Sequence, residues 1–295
     1  MESPHRHSRE DQRVSPSETR RIALGVLRHR GACLGLVTVL LIGGMTVFAP
    51  LLAPYSPYSQ DYDARFMPPS RDHWMGGDQL GRDILSRILY GGRISLTIGF
   101  LSIGISSITG TLAGLLGGYF GSWIDFLLMR IIDALLAFPG ILLALVVIAS
   151  LGPGIWNVAI AVGISQIPAF ARLVRGRVLS IREETYIQAS HAIGCCSFRI
   201  LRQHILPNCI GPILVYATLQ LGNSVFLASG LSFLGLGAQP PTPEWGLMAS
   251  QGRQYLPTAW WVCIFPGLAL AVVVLAVNLL GDGLRDVLDP RIRRP

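Results

Sequence analysis

The chain has 295 residues, of which 51% are hydrophobic and only 14% are charged, and its formal net charge is +7. Soluble domains carry about 25% charged residues, so this composition excludes an ordinary soluble domain and indicates a polytopic membrane protein. All 24 residues of the Lys+Arg count are arginine. A phosphate-binding loop of the GxxxxGK[ST] type requires a lysine, so the sequence excludes an ATP site of that type.

The N-terminal region divides into a polar tail and a first hydrophobic segment. Residues 1–18 are rich in Ser, Arg and His, which predicts a disordered cytoplasmic tail. A short interfacial helix is expected from Ser17, so the tail and this helix together cover residues 1–30. The apolar run 31–53 exceeds the roughly 7 to 15 residues of a signal-peptide core, which favours a retained first transmembrane helix over a cleaved leader.

Five segments without Asp, Glu, Lys, Arg or His carry most of the hydrophobic mass. They are residues 31–60, 94–124, 134–171, 205–243 and 254–281. A helix needs about 20 apolar residues to cross the hydrocarbon core of a membrane, so four segments supply one span each. The third supplies two, near residues 126–150 and 155–172, separated by a Leu-Gly-Pro-Gly turn. The predicted fold is therefore all-α with six transmembrane helices.

The order of the segments gives the predicted organisation. The first helix at residues 31–53 is followed by an extracytoplasmic loop at 54–92 and a five-helix core at 93–281. The core includes a polar loop at 173–206 and a second extracytoplasmic loop at 231–260. Residues 282–295 form a C-terminal tail.

Glycine and proline patterns predict how the spans pack. In the second span Gly110, Gly114 and Gly118 recur at every fourth position, and small residues at this spacing let two helix backbones approach closely. This pattern favours a packed helix over a lipid-facing one. Pro139-Gly140 in the third span and Pro266-Gly267 in the sixth predict kinks.

The arginines cluster before the first span, after the fourth and after the sixth. These are alternate ends of a six-span protein, so the positive-inside rule places both termini and the 173–206 loop in the cytoplasm. Because the basic residues follow the membrane boundaries, nucleic acid is not expected as a partner.

Charged residues at the start of the third span require a reason, because charges beside lipid are costly. Arg130 and Asp133 lie three residues apart on one helix face, near Asp125. An internal ion pair or an interfacial anchor is the favoured interpretation. A substrate contact or a proton relay is the alternative.

Cysteine usage gives no metal or disulfide signal. The chain has five cysteines, an odd number, and they fall in the spans or in the 173–206 loop. The adjacent Cys195 and Cys196 could form a redox or metal pair, although two small residues at a helix turn are the simpler interpretation. No metal site is predicted.

The sequence of the 173–206 loop predicts two short helices between two spans. Ser180 and Glu183 fit a capping box that starts a helix at about Ile181. Gly194 is placed to end that helix in a left-handed conformation. A second short helix is expected over residues 197–204, and Pro207 is expected to begin the next span.

Within this loop the sequence resembles the EAA loop of ATP-binding-cassette (ABC) importer permeases, E-A-A-x3-G-x9-I-x-L-P. Gln188-Ala189-Ser190, Gly194 and Leu206-Pro207 match in spacing, while Gln188, Ser190 and His204 depart from the motif residues. The resemblance implies that this loop docks on a cytoplasmic ATPase. The implied coupling residues are Gln188, Ala189, Ser190, Gly194, His204, Leu206 and Pro207.

Three further segments resemble the dipeptide/oligopeptide/nickel permease subfamily, in particular its C-type subunit. They cover residues 73–96, 231–246 and 278–286. The resemblance implies an outer cap that meets a binding protein, although turn chemistry alone is the alternative for any single residue. The residues expected to face the binding protein are Gly77, Asp78, Gly81, Arg82, Asp83, Pro241, Glu244 and Trp245.

The resemblance as a whole implies a type I ABC importer permease in the bacterial inner membrane. Its implied partners are a second homologous permease, two ATPases and an extracytoplasmic solute-binding protein. No catalytic residue or cofactor is expected in this chain, since the partner ATPases would bind ATP and Mg. Di- and oligopeptides are the first substrate choice, with nickel chelates, glutathione or opines as alternatives.

Two other function classes compete with an importer subunit. A secondary transporter or channel should have paired broken helices in inverted repeats or ionisable residues in mid-span, and neither is evident in the sequence. A membrane scaffold would have no use for an ATPase-facing loop.

Overall fold

The structure is a computed structural model that describes residue 25 and residues 29–288. The predicted tail at 1–18, residues 19–24 and 26–28 of the predicted interfacial helix, and residues 289–295 lie outside the described part. Within the described part the chain is helical and has no β-strand.

Eleven α-helices make up this part of the chain. They are α1 (Arg30–Val47), α2 (Ala49–Leu52), α3 (Ile84–Phe120), α4 (Ser122–Leu136), α5 (Gly140–Leu151), α6 (Ile155–Arg182), α7 (Thr185–Ala192), α8 (Ser197–Ile200), α9 (Leu206–Phe233), α10 (Trp245–Gly252) and α11 (Trp261–Leu288). A π-helical turn at Leu201–Ile205 joins α8 to α9 without a break.

Five helices are long and apolar enough to cross a membrane, and a bent pair supplies a sixth span if it is counted as one. The five are α1, α3, α6, the continuous helix Ser197–Phe233 and α11, and the pair is α4 with α5. The all-α fold with up to six spans agrees with the sequence prediction.

The third span is the one that departs most from a straight helix. Its two limbs, α4 and α5, meet at an angle of 95°. Proline lacks the backbone N–H and disfavours a helical conformation in the preceding residue, so Pro139 ends one limb and caps the next. The predicted kink at Pro139 is confirmed, whereas Pro266 lies inside α11, which continues past it.

Two helices extend beyond the predicted core. α3 begins at Ile84, inside the predicted 54–92 loop, because the Asp83 carboxylate caps its first turn by accepting from the Ser86 N–H. α11 continues past residue 281 and is described as far as Leu288.

The glycine stripe of α3 forms a close seam with α6, as predicted. A Cβ atom at Gly110 would lie 2.5 Å from the Phe170 Cβ, and one at Gly118 would lie 2.8 Å from the Val178 Cβ. At Gly114 the closest atom would be the Ala171 carbonyl oxygen, at 2.6 Å. The two backbones are therefore in contact along the length of the stripe.

The long helices connect two ends of the bundle. At one end lie residues 183–205, which we call the elbow. At the other lie residues 54–83 and 234–260, which we call the cap. α11 packs against α1 and α9, and α3 packs against α6 and α9, so the spans hold both ends in place.

Candidate coupling surface and cap

The elbow begins later than the sequence predicts. α6 continues to Arg182, the chain turns at residues 183–184, and α7 starts at Thr185. The predicted start at Ile181 with a Ser180/Glu183 capping box is therefore wrong. Val174 and Val178 of α6 pack into a buried cluster with α3, and this packing keeps α6 helical through Ser180.

The end of α7 agrees with the prediction. Gly194 has a φ of +80°, in the left-handed region that favours glycine. Its N–H donates to the His191 carbonyl at 3.0 Å, and the Cys195 N–H donates to the Ser190 carbonyl at 3.0 Å. These two bonds are those of a Schellman motif, so Gly194 fixes the direction in which the chain leaves α7.

The second half of the elbow differs from the prediction of a separate helix at 197–204. The chain is helical without interruption from Ser197 to Phe233. Pro207 has no N–H to donate to the preceding turn, and the turn widens to π geometry at Leu201–Ile205 just before it. Pro207 therefore does not begin a new helix but lies within a continuous one.

The predicted coupling residues fall on different sides of the elbow. Gln188, Ala189, Gly194 and Pro207 are exposed, and Leu206 and His204 are half-buried. Ser190 is buried, and its hydroxyl donates to the Tyr186 carbonyl at 2.8 Å. The exposed surface of α7 therefore carries Gln188 and the small side chain of Ala189, while Ser190 packs toward the bundle.

Two exposed apolar side chains extend this surface and were not singled out from the sequence. Ile193 is 79% exposed and Phe198 is 71% exposed, on either side of Gly194. Single exposed apolar residues are common, but exposed apolar residues that lie together mark interaction surfaces. Their position next to a glycine turn is the signal that could have identified them.

A buried cluster anchors the elbow to the spans. Ile187 of α7, Ile200 of α8 and Ile205 of the π-turn are each 0% exposed and pack with residues of α3, α6 and α9. The Arg182 guanidinium donates to the Tyr119 carbonyl at the end of α3, at 3.1 Å. The elbow is therefore part of the rigid body of the bundle.

The cap is organised by a buried charge network. The Asp78 carboxylate accepts from the Arg82 Nε at 2.6 Å and lies 3.7 Å from the Arg87 Nε. The Arg87 side chain also donates to the Pro57 and Pro241 carbonyls, at 3.0 and 3.3 Å. Paired and hydrogen-bonded in this way, the charges hold both loops of the cap on the start of α3.

A second buried pair, formed by Asp83 and His73, also stabilises the cap. The Asp83 carboxylate lies 2.9 Å from the His73 Nδ1 and accepts from the Ser86 hydroxyl at 2.7 Å. The Ser86 oxygen in turn accepts from the Tyr55 N–H at 3.1 Å. Asp83 therefore joins the first loop to the N-terminus of α3.

Glu244 caps the N-terminus of α10, as Asp83 caps that of α3. Its carboxylate is fully buried and accepts from the Gly246 and Leu247 N–H groups at 3.1 and 2.8 Å. It also accepts from the Ser95 hydroxyl at 3.0 Å and the Ser229 hydroxyl at 3.2 Å. Burial raises the pKa of the Glu244 carboxyl, while its hydrogen bonds oppose that shift.

Apart from Pro241, the residues expected to face a binding protein are buried inside the cap. Gly77, Asp78, Gly81, Arg82, Asp83, Glu244 and Trp245 all lie below the surface. A Cβ at Gly81 would overlap the Asp61 carbonyl, and the Trp245 indole donates to the Ile88 carbonyl at 3.0 Å. Their contacts give them a role in shaping the cap.

The charges of α4 have partners other than those predicted. The Arg175 guanidinium makes two bonds to the Asp125 carboxylate, both of 2.6 Å, and Arg172 bonds Asp133 at 2.7 Å. Arg130 instead stacks on Phe126, with 5.3 Å from its guanidinium carbon to the ring centroid. The expected internal ion pairs are therefore present, but they join Asp125 and Asp133 to arginines of α6, and Arg130 does not pair with Asp133.

Among the described residues no group of three or more His, Cys, Asp or Glu side chains could hold a metal ion. Cys195 and Cys196 are free thiols, the first half-buried and the second exposed.

Comparison with solved structures identifies the fold. A chain of the MetNI methionine ABC transporter in an inward-facing conformation gives a TM-score of 0.55 at 21% identity, covering 69% of this chain and 97% of that chain. A chain of an amino acid ABC transporter gives a TM-score of 0.53 at 16% identity, covering 68% and 94%. The fold is that of an ABC importer permease.

Sequence comparison then gives the family. Residues 110–294 match the model of the binding-protein-dependent transport system inner membrane component, and residues 19–69 match the N-terminal TM domain of oligopeptide transport permease C. The chain belongs to the family of binding-protein-dependent transport system inner membrane components.

Two curated relatives agree with this assignment. The chain is 46% identical over 284 residues to the dipeptide transport system permease protein DppC of Alkalihalophilus pseudofirmus, covering 96% of this chain and 93% of that protein. It is 49% identical over 267 residues to the glutathione transport system permease protein GsiD of Pectobacterium atrosepticum, covering 90% and 88%. The chain is a multi-pass, non-catalytic permease subunit of an ABC importer in the inner membrane, as the C-type resemblance predicts.

Proposed function

We propose that this chain forms one half of a translocation path for di- and oligopeptides, with a second homologous permease as the other half. Two cytoplasmic ATPases, which bind ATP and Mg, drive the path through the elbow. An extracytoplasmic solute-binding protein delivers the substrate to the cap. The carrying observation is the 46% identity to a dipeptide permease over 96% of the chain.

The shape of the elbow supports the coupling role. Gln188 and Ala189 are exposed on α7, and Ile193 and Phe198 add apolar surface beside them. The buried Ile187 fixes α7 to the spans from behind. A partner that moves α7 therefore also moves the spans, since Ile187 packs directly against residues of α3, α6 and α9.

The distribution of charge supports a cytoplasmic elbow. Arg177, Arg182, Arg199 and Arg202 lie on or next to it, whereas Arg82 of the cap and Arg87 at the start of α3 are both paired with Asp78 in the buried network. An excess of arginine in a loop next to the membrane favours the cytoplasmic side. The positive charge of these arginines would complement an acidic rim on an ATPase.

For the binding-protein contact, the exposed part of the cap is the relevant surface. Trp74 and Tyr62 are 73% and 70% exposed, and Pro241 is exposed beside the buried network. Aromatic residues are enriched at protein interfaces. The buried residues Asp78, Arg82, Asp83 and Glu244 act in the proposal by holding this surface in shape.

Substitution of Gly194 tests the coupling role. Gly194→Ala places a side chain in the left-handed region at a cost of about 1 kcal/mol, although no atom lies within 4 Å of its Cβ. Gly194→Asn tolerates that conformation, and Gly194→Pro cannot adopt it. In proteoliposomes with the whole transporter, we expect uptake to be retained with Asn, reduced with Ala and abolished with Pro.

A matched control separates this effect from the loss of any glycine. Gly176 is an exposed helical glycine of α6 that also has no atom within 4 Å of its Cβ. Gly176→Ala should leave uptake unchanged. Equal uptake by wild type and Gly194→Pro, with both chains inserted in the membrane, would refute the coupling role.

Glutathione is the second candidate substrate, because glutathione transport system permease proteins reach 51% identity over 90% of this chain. The transporter, reconstituted with the binding protein encoded beside it, separates the two candidates. Uptake of a labelled dipeptide that is unaffected by excess glutathione supports the peptide assignment. Uptake of labelled glutathione that excess dipeptide does not reduce supports the alternative.

A further inference from the structure

The elbow and the cap are held by opposite ends of one helix, α3. This helix has 37 residues, so it is about 55 Å long at 1.5 Å per residue. The hydrocarbon core of a membrane is about 30 Å thick, so α3 extends beyond it. A displacement along α3 at one end is therefore delivered to the other.

We infer that Tyr119, in the last turn of α3, is the positioning residue through which the movement of α7 reaches the cap. This inference rests on the proposed coupling role of the elbow. Tyr119 itself does not face the surface on which an ATPase would dock, since it is only 7% exposed.

The contacts of Tyr119 join three elements of the elbow end. Its ring stacks on the His191 imidazole of α7, with the centroids 5.9 Å apart and the planes at 19°, and its hydroxyl lies 3.4 Å from the His191 Nε2. Its carbonyl accepts from Arg182, the last residue of α6. Its side chain also belongs to the buried cluster around Ile187.

At the other end, α3 holds α10 of the cap. The Ser95 hydroxyl donates to the buried Glu244 carboxylate at 3.0 Å, and the Ser95 oxygen lies 3.3 Å from the Trp245 N–H. The Ile88 carbonyl accepts from the Trp245 indole at 3.0 Å. A shift of α3 therefore pulls directly on the first turn of α10.

Between these ends α3 has little freedom to bend independently of α6. The glycine seam at Gly110, Gly114 and Gly118 puts the two backbones in contact. Because α6 leads into α7 at Arg182, a movement of the elbow displaces α3 and α6 together and not α3 alone. The stacked Tyr119–His191 pair is the direct aromatic contact between α7 and the end of α3.

Graded variants of Tyr119 in the whole transporter test this inference. Tyr119→Phe keeps the ring that stacks on His191, whereas Tyr119→Leu keeps an apolar side chain but loses the stack. We expect Tyr119→Leu to reduce substrate uptake per transporter between about twofold and thirtyfold, the range of coupling effects away from a binding site. Tyr119→Phe should retain most of the uptake.

Two further measurements separate transmission from assembly. The ATPases should co-purify with Tyr119→Leu as with wild type, and ATP hydrolysis without the binding protein should be unchanged. In a His191→Ala background, Tyr119→Leu should cause a smaller loss of uptake than it causes alone, because its stacking partner is already absent. Tyr216→Phe is the matched control, since Tyr216 packs on Phe170 and lies outside the elbow.

The inference is overturned if Tyr119→Leu transports as well as wild type, if it loses the ATPases, or if its effect is undiminished in the His191→Ala background. Failure of the proposed function looks different. In that case the ATPases would not be retained by the wild-type chain, or Gly194→Pro would transport normally.

Discussion

Gly114→Ala is the sharpest test of the helix seam that holds the permease core together. A Cβ atom at this position would lie 2.6 Å from the Ala171 carbonyl oxygen, 2.7 Å from the Val174 Cβ and 2.9 Å from the Arg175 nitrogen. Ordinary contact begins at 3.4 Å, so relief of the closest overlap requires about 0.8 Å of separation between α3 and α6. Two of the three atoms are backbone and cannot rotate away.

The cost follows from this geometry. Forcing one extra carbon into a well-packed site costs about 1–3 kcal/mol, and here the displacement would also loosen the contacts at Gly110 and Gly118. Gly104 of the same helix has no atom within 4 Å of its Cβ. Gly104→Ala should therefore be neutral or gain up to about 1 kcal/mol of helix propensity.

The assay is thermal denaturation of the purified chain in detergent, followed as the fraction that remains monodisperse after heating. A difference of 1 kcal/mol shifts the midpoint by roughly 2–4 °C in a chain of about this size. Gly114→Ala should melt several degrees below Gly104→Ala. If Gly114→Ala melts at the same temperature as Gly104→Ala or above it, α3 and α6 are not in the close backbone contact that the short distances at Gly114 indicate.

Two other sites give predictions of the same kind. Asp125→Asn breaks a two-bond pair with the half-buried Arg175 and should lower the free energy of unfolding by about 1–3 kcal/mol. Asp133→Asn removes a pair whose side chains are both more than half exposed and should lower it by under about 1 kcal/mol. Equal thermal midpoints for the two variants would contradict this ranking. At Glu244 burial raises the pKa in the fold, so its contribution to stability is fully present below its pKa in the unfolded chain and is lost as the pH rises through its pKa in the fold. The wild type should lose stability across that window in a pH series, and Glu244→Gln should not.

The parts of the fold that depend on local composition could be predicted from the sequence. An uncharged run long enough to cross a membrane has few alternatives to a helix, so the number of spans agrees with the prediction if α4 and α5 are counted as one span. The Gly110–Gly118 spacing predicts a seam because small residues four apart lie on one helix face. Gly194 follows the same logic, since a glycine in the left-handed region ends a helix whatever surrounds it.

The parts that depend on contacts between distant segments could not be predicted. Arg130 and Asp133 are neighbours on one helix, but Arg172 and Arg175 of α6 reach the aspartates across the helix interface with better geometry. The Ser180/Glu183 capping box has the right residues for a helix start. Packing of Val178 against α3 nevertheless keeps α6 helical through it.

The cap shows why residues with the composition of a surface loop can nevertheless be buried. Asp78, Arg82 and Asp83 have the composition of a surface loop, yet each charge is met by a partner within the chain, so all three can be buried. A signal was present, because an aspartate directly before an apolar run, as Asp83 is before Ile84 and Leu85, is a helix-start pattern that places the aspartate at the N-terminus of α3.

This burial also changes where a partner can act on the permease. If the motif residues faced a binding protein, docking would depend on their charges and would weaken with salt. Because they are buried, the proposed binding protein would meet the exposed Trp74, Tyr62 and Pro241, and it would influence the spans by shifting the buried residues behind them. Ser95 and Ile88 of α3 connect those buried residues to the start of α10. Substitution of Trp74 should therefore weaken docking, whereas substitution of Asp78 should unfold the cap.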